Sequence, residues 1–109
     1  MNKELKEQLL LFYQKCDSFK GKTVYIKEYI STHKDNFDRH FTTFSELKFK
    51  LNNFGVRLSG GRVFFMADEQ MYEIGGDIII AIKSKENNEF ELMEKYSETV
   101  YRKSILKFE

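Results

Sequence analysis

The segment from Thr43 to Gly55 carries the strongest local signal in the sequence and constrains the fold more than any other. Thr43-Phe44-Ser45-Glu46 has the Thr-x-x-Glu form of a capping box, in which the hydroxyl and the carboxylate each satisfy a backbone amide at the start of a helix. Apolar residues then recur at spacings of three and four, and Gly55 stands where a left-handed C-terminal cap is expected. The pattern predicts a helix over residues 44–54.

Two further helices are predicted before this segment. Apolar residues that recur every three or four positions form the stripe of an amphipathic helix over residues 2–16; they are Leu5, Leu9, Phe12 and Cys16. A shorter cluster at similar spacing predicts a second helix over residues 24–33; its members are Tyr25, Ile26, Tyr29, Ile30 and His33. The polar residues 34–40 then connect the second helix to the third.

Glycine pairs mark two β-hairpins after the third predicted helix. The predicted strands are residues 56–58 and 62–66 around Ser59-Gly60-Gly61, and residues 71–74 and 77–82 around Gly75-Gly76. The last segment, residues 89–109, fits either a strand pair or a helix. Oppositely charged residues four positions apart, such as Glu91 and Lys95, favour a C-terminal helix.

This order of elements resembles a winged helix-turn-helix domain. The junction Leu51-Asn52-Asn53-Phe54-Gly55-Val56-Arg57, followed by Gly60-Gly61-Arg62-Val63-Phe64, is similar to the boundary between recognition helix and wing. Domains of this type occur in mobile-element regulators and at the C-termini of some phage and plasmid primase-helicases. The resemblance implies DNA binding, with the third helix in the major groove and the loop at residues 59–62 against the phosphate backbone.

The resulting prediction is a single α+β domain over residues 1–109. Its core, residues 1–66, is a winged helix with three N-terminal helices plus a β-hairpin wing. Residues 67–109 extend it by an acidic second β-hairpin and a C-terminal helix. The distribution of charge supports this division. Although the net charge is only +1, residues 20–66 hold nine cations and four anions, whereas residues 67–109 hold six cations and ten anions. Such asymmetry is typical of a protein with a polyanion-binding face.

The predicted DNA contacts lie on the outward side of the third helix and on the wing. Serine and asparagine side chains reach base edges or phosphates, an aromatic ring meets a thymine methyl group, and two arginines bracket the wing loop. The predicted contact residues are Thr43, Ser45, Lys48, Phe49, Asn52, Asn53, Arg57, Ser59, Gly60 and Arg62.

The expected function is that of a small DNA-binding protein from a phage or mobile element. It would act as a transcriptional regulator or a replication accessory factor and bind duplex DNA as a homodimer. The alternative is a protein-interaction module, for example a phage-encoded inhibitor of a host protein. On that hypothesis Phe49, together with Leu10 and Leu11 of the first helix, contacts the partner.

The sequence offers no persuasive catalytic or metal-binding pattern. Lys20-Gly21-Lys22-Thr23 lacks the earlier glycine and the preceding strand that a phosphate-binding P-loop needs. The close group of metal-capable side chains lacks zinc-site spacing and is expected to be a solvated connector; it comprises His33, Asp35, Asp38 and His40. Cys16 lies on an apolar stripe, where a buried and inert thiol is expected. We therefore expect a non-enzyme without cofactor or metal.

The localisation expected from the sequence is cytoplasmic, without a membrane contact. The longest apolar run, residues 78–82, is far shorter than the roughly 20 residues that span a bilayer. The single cysteine offers no disulfide framework, which fits a reducing compartment.

Overall fold

The computed structural model describes residues 1–32, 37, 42–57 and 61–109. Within these residues one α-helix precedes eight β-strands. The elements are α1 (Lys3–Ser18), β1 (Thr23–Ser31), β2 (Thr42–Lys50), β3 (Asn53–Arg57), β4 (Arg62–Met66), β5 (Met71–Gly75), β6 (Ile79–Lys85), β7 (Glu89–Ser97) and β8 (Val100–Phe108), with a short 3-10 turn over Gly76–Ile78. None of the helical segments that the structure describes has the length and apolar character needed to cross a membrane.

The strands form two antiparallel sheets. The large sheet has the order β2-β1-β8-β7-β6, and the small sheet has the order β3-β4-β5. Strands that are neighbours in the chain are also neighbours in each sheet, except that β8 returns to pair with β1. The chain therefore runs up and down through both sheets, and the pairing of β1 with β8 joins the first and last strands of the chain within the large sheet.

The core lies between the two sheets and is completed by α1. Alternate residues of the strands point inward; the buried apolar side chains include Val24, Ile26, Val63, Phe65, Ile74, Phe90, Leu92, Leu106 and Phe108. Phe12 of α1 reaches both layers, because its ring centroid lies 6.4 Å from that of Phe65 and 4.9 Å from that of Phe90. Each such fully buried side chain contributes roughly 1.5–3 kcal/mol.

The first predicted helix is confirmed. It spans Lys3–Ser18, and the side chain of Asn2 caps it by accepting a hydrogen bond from the Leu5 amide at 2.8 Å. Leu9, Phe12 and Cys16 are buried, as their spacing predicted. The prediction of a buried thiol is likewise confirmed, since Cys16 is fully buried and this burial raises its pKa far above the ordinary value.

The second and third predicted helices are wrong, because both segments form strands. Val24 and Ile26 of β1 are buried, while Tyr25 and Lys27, which follow them in turn, are exposed; this alternation is the period of a strand. The third segment forms β2, a two-residue corner and β3. A capping box is worth only about 1 kcal/mol to a helix. Nine aligned residue pairs with β1 and the burial of Phe49 outweigh this local preference.

The predicted C-terminal helix is also wrong, since residues 89–109 form the hairpin of β7 and β8. Their inward residues alternate along each strand, as Phe90, Leu92 and Glu94 do in β7. Glu91, assigned by spacing to a helical ion pair with Lys95, instead faces the neighbouring strand β6, where it lies 3.8 Å from Lys83. Partners on an adjacent strand thus replace partners four positions along the chain.

The winged-helix prediction is therefore contradicted as a whole. The chain is mostly β, with one helix in the described residues, instead of three N-terminal helices plus a wing, a second hairpin and a C-terminal helix. The resemblance to a helix-turn-helix domain fails with it. The segment predicted to be the recognition helix forms β2 and β3, so it offers no helix to a major groove.

One of the two predicted hairpins is confirmed. Strands β3 and β4 pair in the expected order, although residues 58–60 of their connection lie outside the described residues. The second hairpin is wrong, because β5 pairs with β4 and β6 pairs with β7. The turn at Gly76 instead carries the chain from the small sheet to the large one, and its amide donates to the carbonyl oxygen of Gly61 at 2.6 Å.

Candidate functional site

The outer face of the large sheet carries a group of mainly basic and aromatic side chains. Strand alternation directs Tyr25, Lys27 and Tyr29 of β1 away from the core. The pairing registers place side chains of β2 and β8 beside them on the same face. We define the basic face by these residues: Tyr25, Lys27, Tyr29, Phe44, Glu46, Lys48, Lys50, Lys103, Ile105 and Lys107.

Positive charge dominates this face. It holds five lysines and a single carboxylate, Glu46, while Lys107 is paired with the terminal residue Glu109 at 3.2 Å. Within the part of the chain that the structure describes, the other four lysines form no ion pair. The adjoining strands differ, because Lys83 and Lys85 of β6 are paired with glutamates of β7. The positive potential is thus concentrated on β2, β1 and β8.

Aromatic rings alternate with these lysines. Phe44 is 50% exposed and Tyr25 is 36% exposed, and the ring centroids of Tyr29 and Phe44 lie 4.9 Å apart. The Lys48 ammonium lies 5.4 Å from the Tyr25 centroid, and the Lys103 ammonium lies 5.0 Å from that of Tyr29. These cation–π contacts hold positive charges beside the rings. The face therefore offers flat apolar surfaces and cations at alternating positions.

A second group of charged side chains lies inside the protein, between β5 and the large sheet. Arg102 donates from Nε to Glu94 at 2.7 Å and from Nη1 to Glu28 at 3.1 Å. The hydroxyl of Tyr72 donates to Glu28 at 3.0 Å and lies 2.7 Å from that of Ser104. Glu94 is fully buried and Arg102 is largely buried. A buried network of this kind is a candidate site only where some polar group lacks a partner.

The hydrogen bonds of this interior network identify it as structural. Arg102 donates from Nη2 to the carbonyl oxygen of Glu73 at 2.6 Å, and the Gly75 amide donates to Glu94 at 2.9 Å. Both backbone groups belong to β5, whose other edge pairs with β4. Side chains of β7 and β8 thus take the place of a neighbouring strand, and they join the two sheets.

The titration behaviour of the network agrees with this structural role. Burial raises the pKa of Tyr72 well above its usual range, and burial together with the nearby Glu94 raises the pKa of Tyr96 to about 12. Burial alone would lower the pKa of Arg102, but its hydrogen bond to Glu94 and the neighbouring Tyr72 raise it above the ordinary value. The tyrosines stay neutral and the arginine stays charged, so none of the three is poised to exchange a proton near neutral pH.

The structure disperses the residues that sequence reasoning assigned to DNA contact. Lys48 lies on the basic face, whereas Phe49 is 8% exposed and packs in the core. Thr43 and Ser45 are exposed, but on the opposite side of β2 from Lys48. The remaining described members belong to the corner and the small sheet: Asn52, Asn53, Arg57 and Arg62. Ser59 and Gly60 lie outside the described residues.

The predicted contact residues on and near the small sheet have partners of their own. Asn52 donates to Asp68 at 2.6 Å, and Arg62 forms an ion pair with Glu73 at 3.0 Å. The Asn53 side chain accepts from the Phe54 amide at 2.9 Å, and the Arg57 guanidinium lies 5.2 Å from the Phe64 ring. Each of the four side chains thus has a contact within the protein that explains its position without a bound ligand.

Sequence reasoning missed most of the basic face, including Tyr25, Lys27 and Lys103. The available signal was the alternation of polar with apolar residues along residues 23–31, which a helical interpretation hides. Even with that signal, the approach of Tyr29 to Lys103 depends on pairing between strands at opposite ends of the chain.

Neither a search of the described residues for a metal site nor a comparison with other proteins adds a further candidate site. No cluster of three or more histidine, cysteine, aspartate or glutamate side chains suitable for a metal occurs among the described residues. The sequence group around His33 and His40 lies outside them. No protein family, curated protein or solved structure matches this chain.

Proposed function

We propose that the protein binds single-stranded nucleic acid on the basic face. The observation that carries this proposal is the alternation of exposed rings with lysines that lack ion pairs in the described structure. Proteins that bind single strands without strong sequence preference combine stacking surfaces for bases with cations that follow the phosphates. A broad sheet face is better suited to binding a single strand than to entering the groove of a duplex, because that groove admits only a helix or a narrow ribbon.

Each type of side chain has a separate role in this proposal. Tyr25 and Phe44 offer ring surfaces to bases, a contact worth about 1–3 kcal/mol per base. Lys27 lies between Tyr25 and Tyr29 on β1, Lys103 lies beside Tyr29, and both contact phosphates in this proposal. Four lysines without ion pairs predict a slope of log affinity against log salt of up to roughly −3 for a single strand. Sequence preference is weak, because stacking and phosphate contacts do not distinguish base edges.

The proposal is tested by fluorescence anisotropy with a labelled oligothymidylate and with a duplex of the same length. We expect the single strand to bind more tightly, with affinity falling as salt rises. The double variant Lys27→Ala/Lys103→Ala should weaken binding at least tenfold, which corresponds to about 1.4 kcal/mol of binding free energy. The charge-matched control Lys3→Ala/Lys83→Ala removes two lysines from α1 and β6 and should leave binding near that of the wild type.

Two results would reject the proposal. One is the absence of binding at about 50 mM salt, where electrostatic contacts to nucleic acid are strong. The other is an equal loss of affinity in the basic-face variant and in its charge-matched control, because this would show only a response to net charge.

A protein partner bound by α1 is the second candidate function. Leu10 and Leu11 are 60% and 62% exposed, whereas the third residue of the sequence hypothesis, Phe49, is buried. Adjacent exposed leucines on one helix are typical of a contact surface. The variant Leu10→Gln/Leu11→Gln separates the two functions, since it should leave oligonucleotide affinity unchanged if the basic face is the nucleic-acid site.

A further inference from the structure

Strand β2 forms an edge of the large sheet, and among the described elements only β1 packs extensively against it. The two sheets have four edges, formed by β2, β6, β3 and β5. Helix α1 packs beside β3 and β6, and the side chains of Glu94 and Arg102 bond to the free edge of β5. No backbone hydrogen bond of the described residues engages the outer edge of β2. Its nine residues therefore present amide and carbonyl groups that a further strand can pair with.

The side chains of β2 favour a second copy of β2 as that strand. In an antiparallel pair centred on Leu47, Glu46 lies opposite Lys48 of the second copy, and Lys48 lies opposite its Glu46. Phe44 then lies opposite Lys50 of the second copy. Opposite charges and cation–aromatic neighbours at directly facing positions stabilise a strand pair. All of these residues are on the basic face, so both copies keep the same faces inward.

The neighbouring registers that keep the faces aligned are less favourable. A pair centred on Glu46 places the two Glu46 carboxylates opposite each other. A pair centred on Lys48 keeps two attractive pairs, Glu46 with Lys50 of the other copy, but adds a repulsive pair of Lys48 ammonium groups that the Leu47 register lacks. Like charges at directly facing positions destabilise a strand pair. In the described structure Glu46 faces Lys27 of β1 but forms no ion pair, and the Leu47 register adds a second cation beside it.

We propose that the protein forms a homodimer by antiparallel pairing of two β2 strands in the Leu47 register. The product is one continuous sheet of ten strands, five from each copy. Because the two-fold axis is perpendicular to this sheet, the basic faces of both copies lie side by side on one surface. This inference rests on the edge and its charges and holds whether or not nucleic acid binds.

The test is a charge exchange followed by sedimentation equilibrium of the full chain, without nucleic acid. Glu46→Lys and Lys48→Glu each convert two attractive pairs into two repulsive ones, so each variant should dimerise more weakly by a factor on the order of tenfold. Mixing the two single variants restores both attractive pairs, and the double variant Glu46→Lys/Lys48→Glu restores them within one chain. Both combinations should recover wild-type association. Lys3→Glu, a charge reversal on α1, is the control and should have no effect.

The outcomes decide the proposal independently of folding and of nucleic-acid binding. Far-ultraviolet circular dichroism verifies that each variant is folded, and recovery in the mixture excludes misfolding as the cause of a loss. A monomeric wild type at all concentrations would overturn the dimer. Association that is insensitive to both reversals, or that does not recover in the mixture, would overturn the register. Nucleic-acid binding is judged separately, with Lys27 of β1 and Lys103 of β8. Neither residue belongs to β2, although Lys27 faces Glu46 across the β1–β2 pair.

Discussion

Replacement of Glu94 by glutamine tests whether the interior network holds the two sheets together. Glu94 is fully buried and accepts three hydrogen bonds, from Arg102 at 2.7 Å, from the Gly75 amide at 2.9 Å and from Tyr96 at 3.1 Å. Glutamine has nearly the same shape, so it removes the charge without leaving a cavity. Its amide group also directs donors toward a site where every neighbour is already a donor.

The expected loss follows from these contacts. One charge-assisted hydrogen bond to Arg102 contributes about 1.5–3 kcal/mol, and one buried donor left without an acceptor costs about 1–3 kcal/mol. Their sum of about 2.5–6 kcal/mol brackets the cost of about 3–5 kcal/mol for removing one partner of a buried ion pair, and we take the latter range as the expected loss. For a chain of this size each kcal/mol corresponds to about 4–8 °C, so the melting temperature should fall by about 12 °C or more.

Urea unfolding followed by circular dichroism measures this loss, with Glu89→Gln as the matched control. Glu89 lies on the same strand, but its ion pair with Lys85 is partly exposed and 3.9 Å long. Such pairs contribute about 0–1 kcal/mol. If the two variants unfold with free energies within about 1 kcal/mol of each other, the network does not stabilise the contact between the sheets and our interpretation of it is wrong.

Three further predictions concern other parts of the molecule. Gly76→Ala should lower the urea midpoint by an amount equivalent to about 1–3 kcal/mol, because the new Cβ would collide with a backbone carbonyl of the adjacent turn. The control Gly55→Ala places its Cβ 3.8 Å from a methionine methyl group and should stay within about 0.5 kcal/mol of the wild type. Burial raises the pKa of Tyr13 from 10.0 to about 12, so the folded state binds this proton more tightly than the unfolded state and stability should fall as pH rises from 10.0 toward about 12; a free energy of unfolding that is unchanged over this interval would contradict the assignment. Tyr25→Ala should weaken oligothymidylate binding by about 1–3 kcal/mol, whereas Met71→Ala, which removes an exposed apolar side chain from the small sheet, should not change the anisotropy titration.

Local patterns predicted the elements whose hydrogen bonds are local. The helix α1 was predicted from the spacing of Leu9, Phe12 and Cys16, because a helix bonds only within itself and buries one stripe. The β3–β4 hairpin was predicted from its glycines, since a short connection brings its own two strands together. In both cases the partner of each residue lies a few positions away.

The same patterns failed where distant partners decide the conformation. Residues 44–54 satisfy the local rules of a capped helix, yet Phe49 is buried by pairing β2 with β1 and by packing on the core. Residues 89–109 satisfy the rule of charges four positions apart, yet they form β7 and β8. Local preferences of about 1 kcal/mol or less yield to such burial.

The candidate site shows the same division. The sequence identified a basic segment and one member of the basic face, Lys48. It placed Phe49 on a contact surface, and the strand register turns that residue into the core. Lys103, near the other end of the chain, joins the face only through pairing with Tyr29.

The sequence by itself determined one helix, one hairpin, a buried Cys16 and the unequal distribution of charge along the chain. Tertiary structure alone decided that β1 and β8 are neighbours, that Glu94 and Arg102 meet beside β5, and that lysines from both halves of the chain share one surface. The physical reason is that a strand obtains its hydrogen bonds and its buried neighbours from other strands. Its conformation and its exposed face are therefore properties of the assembled sheet.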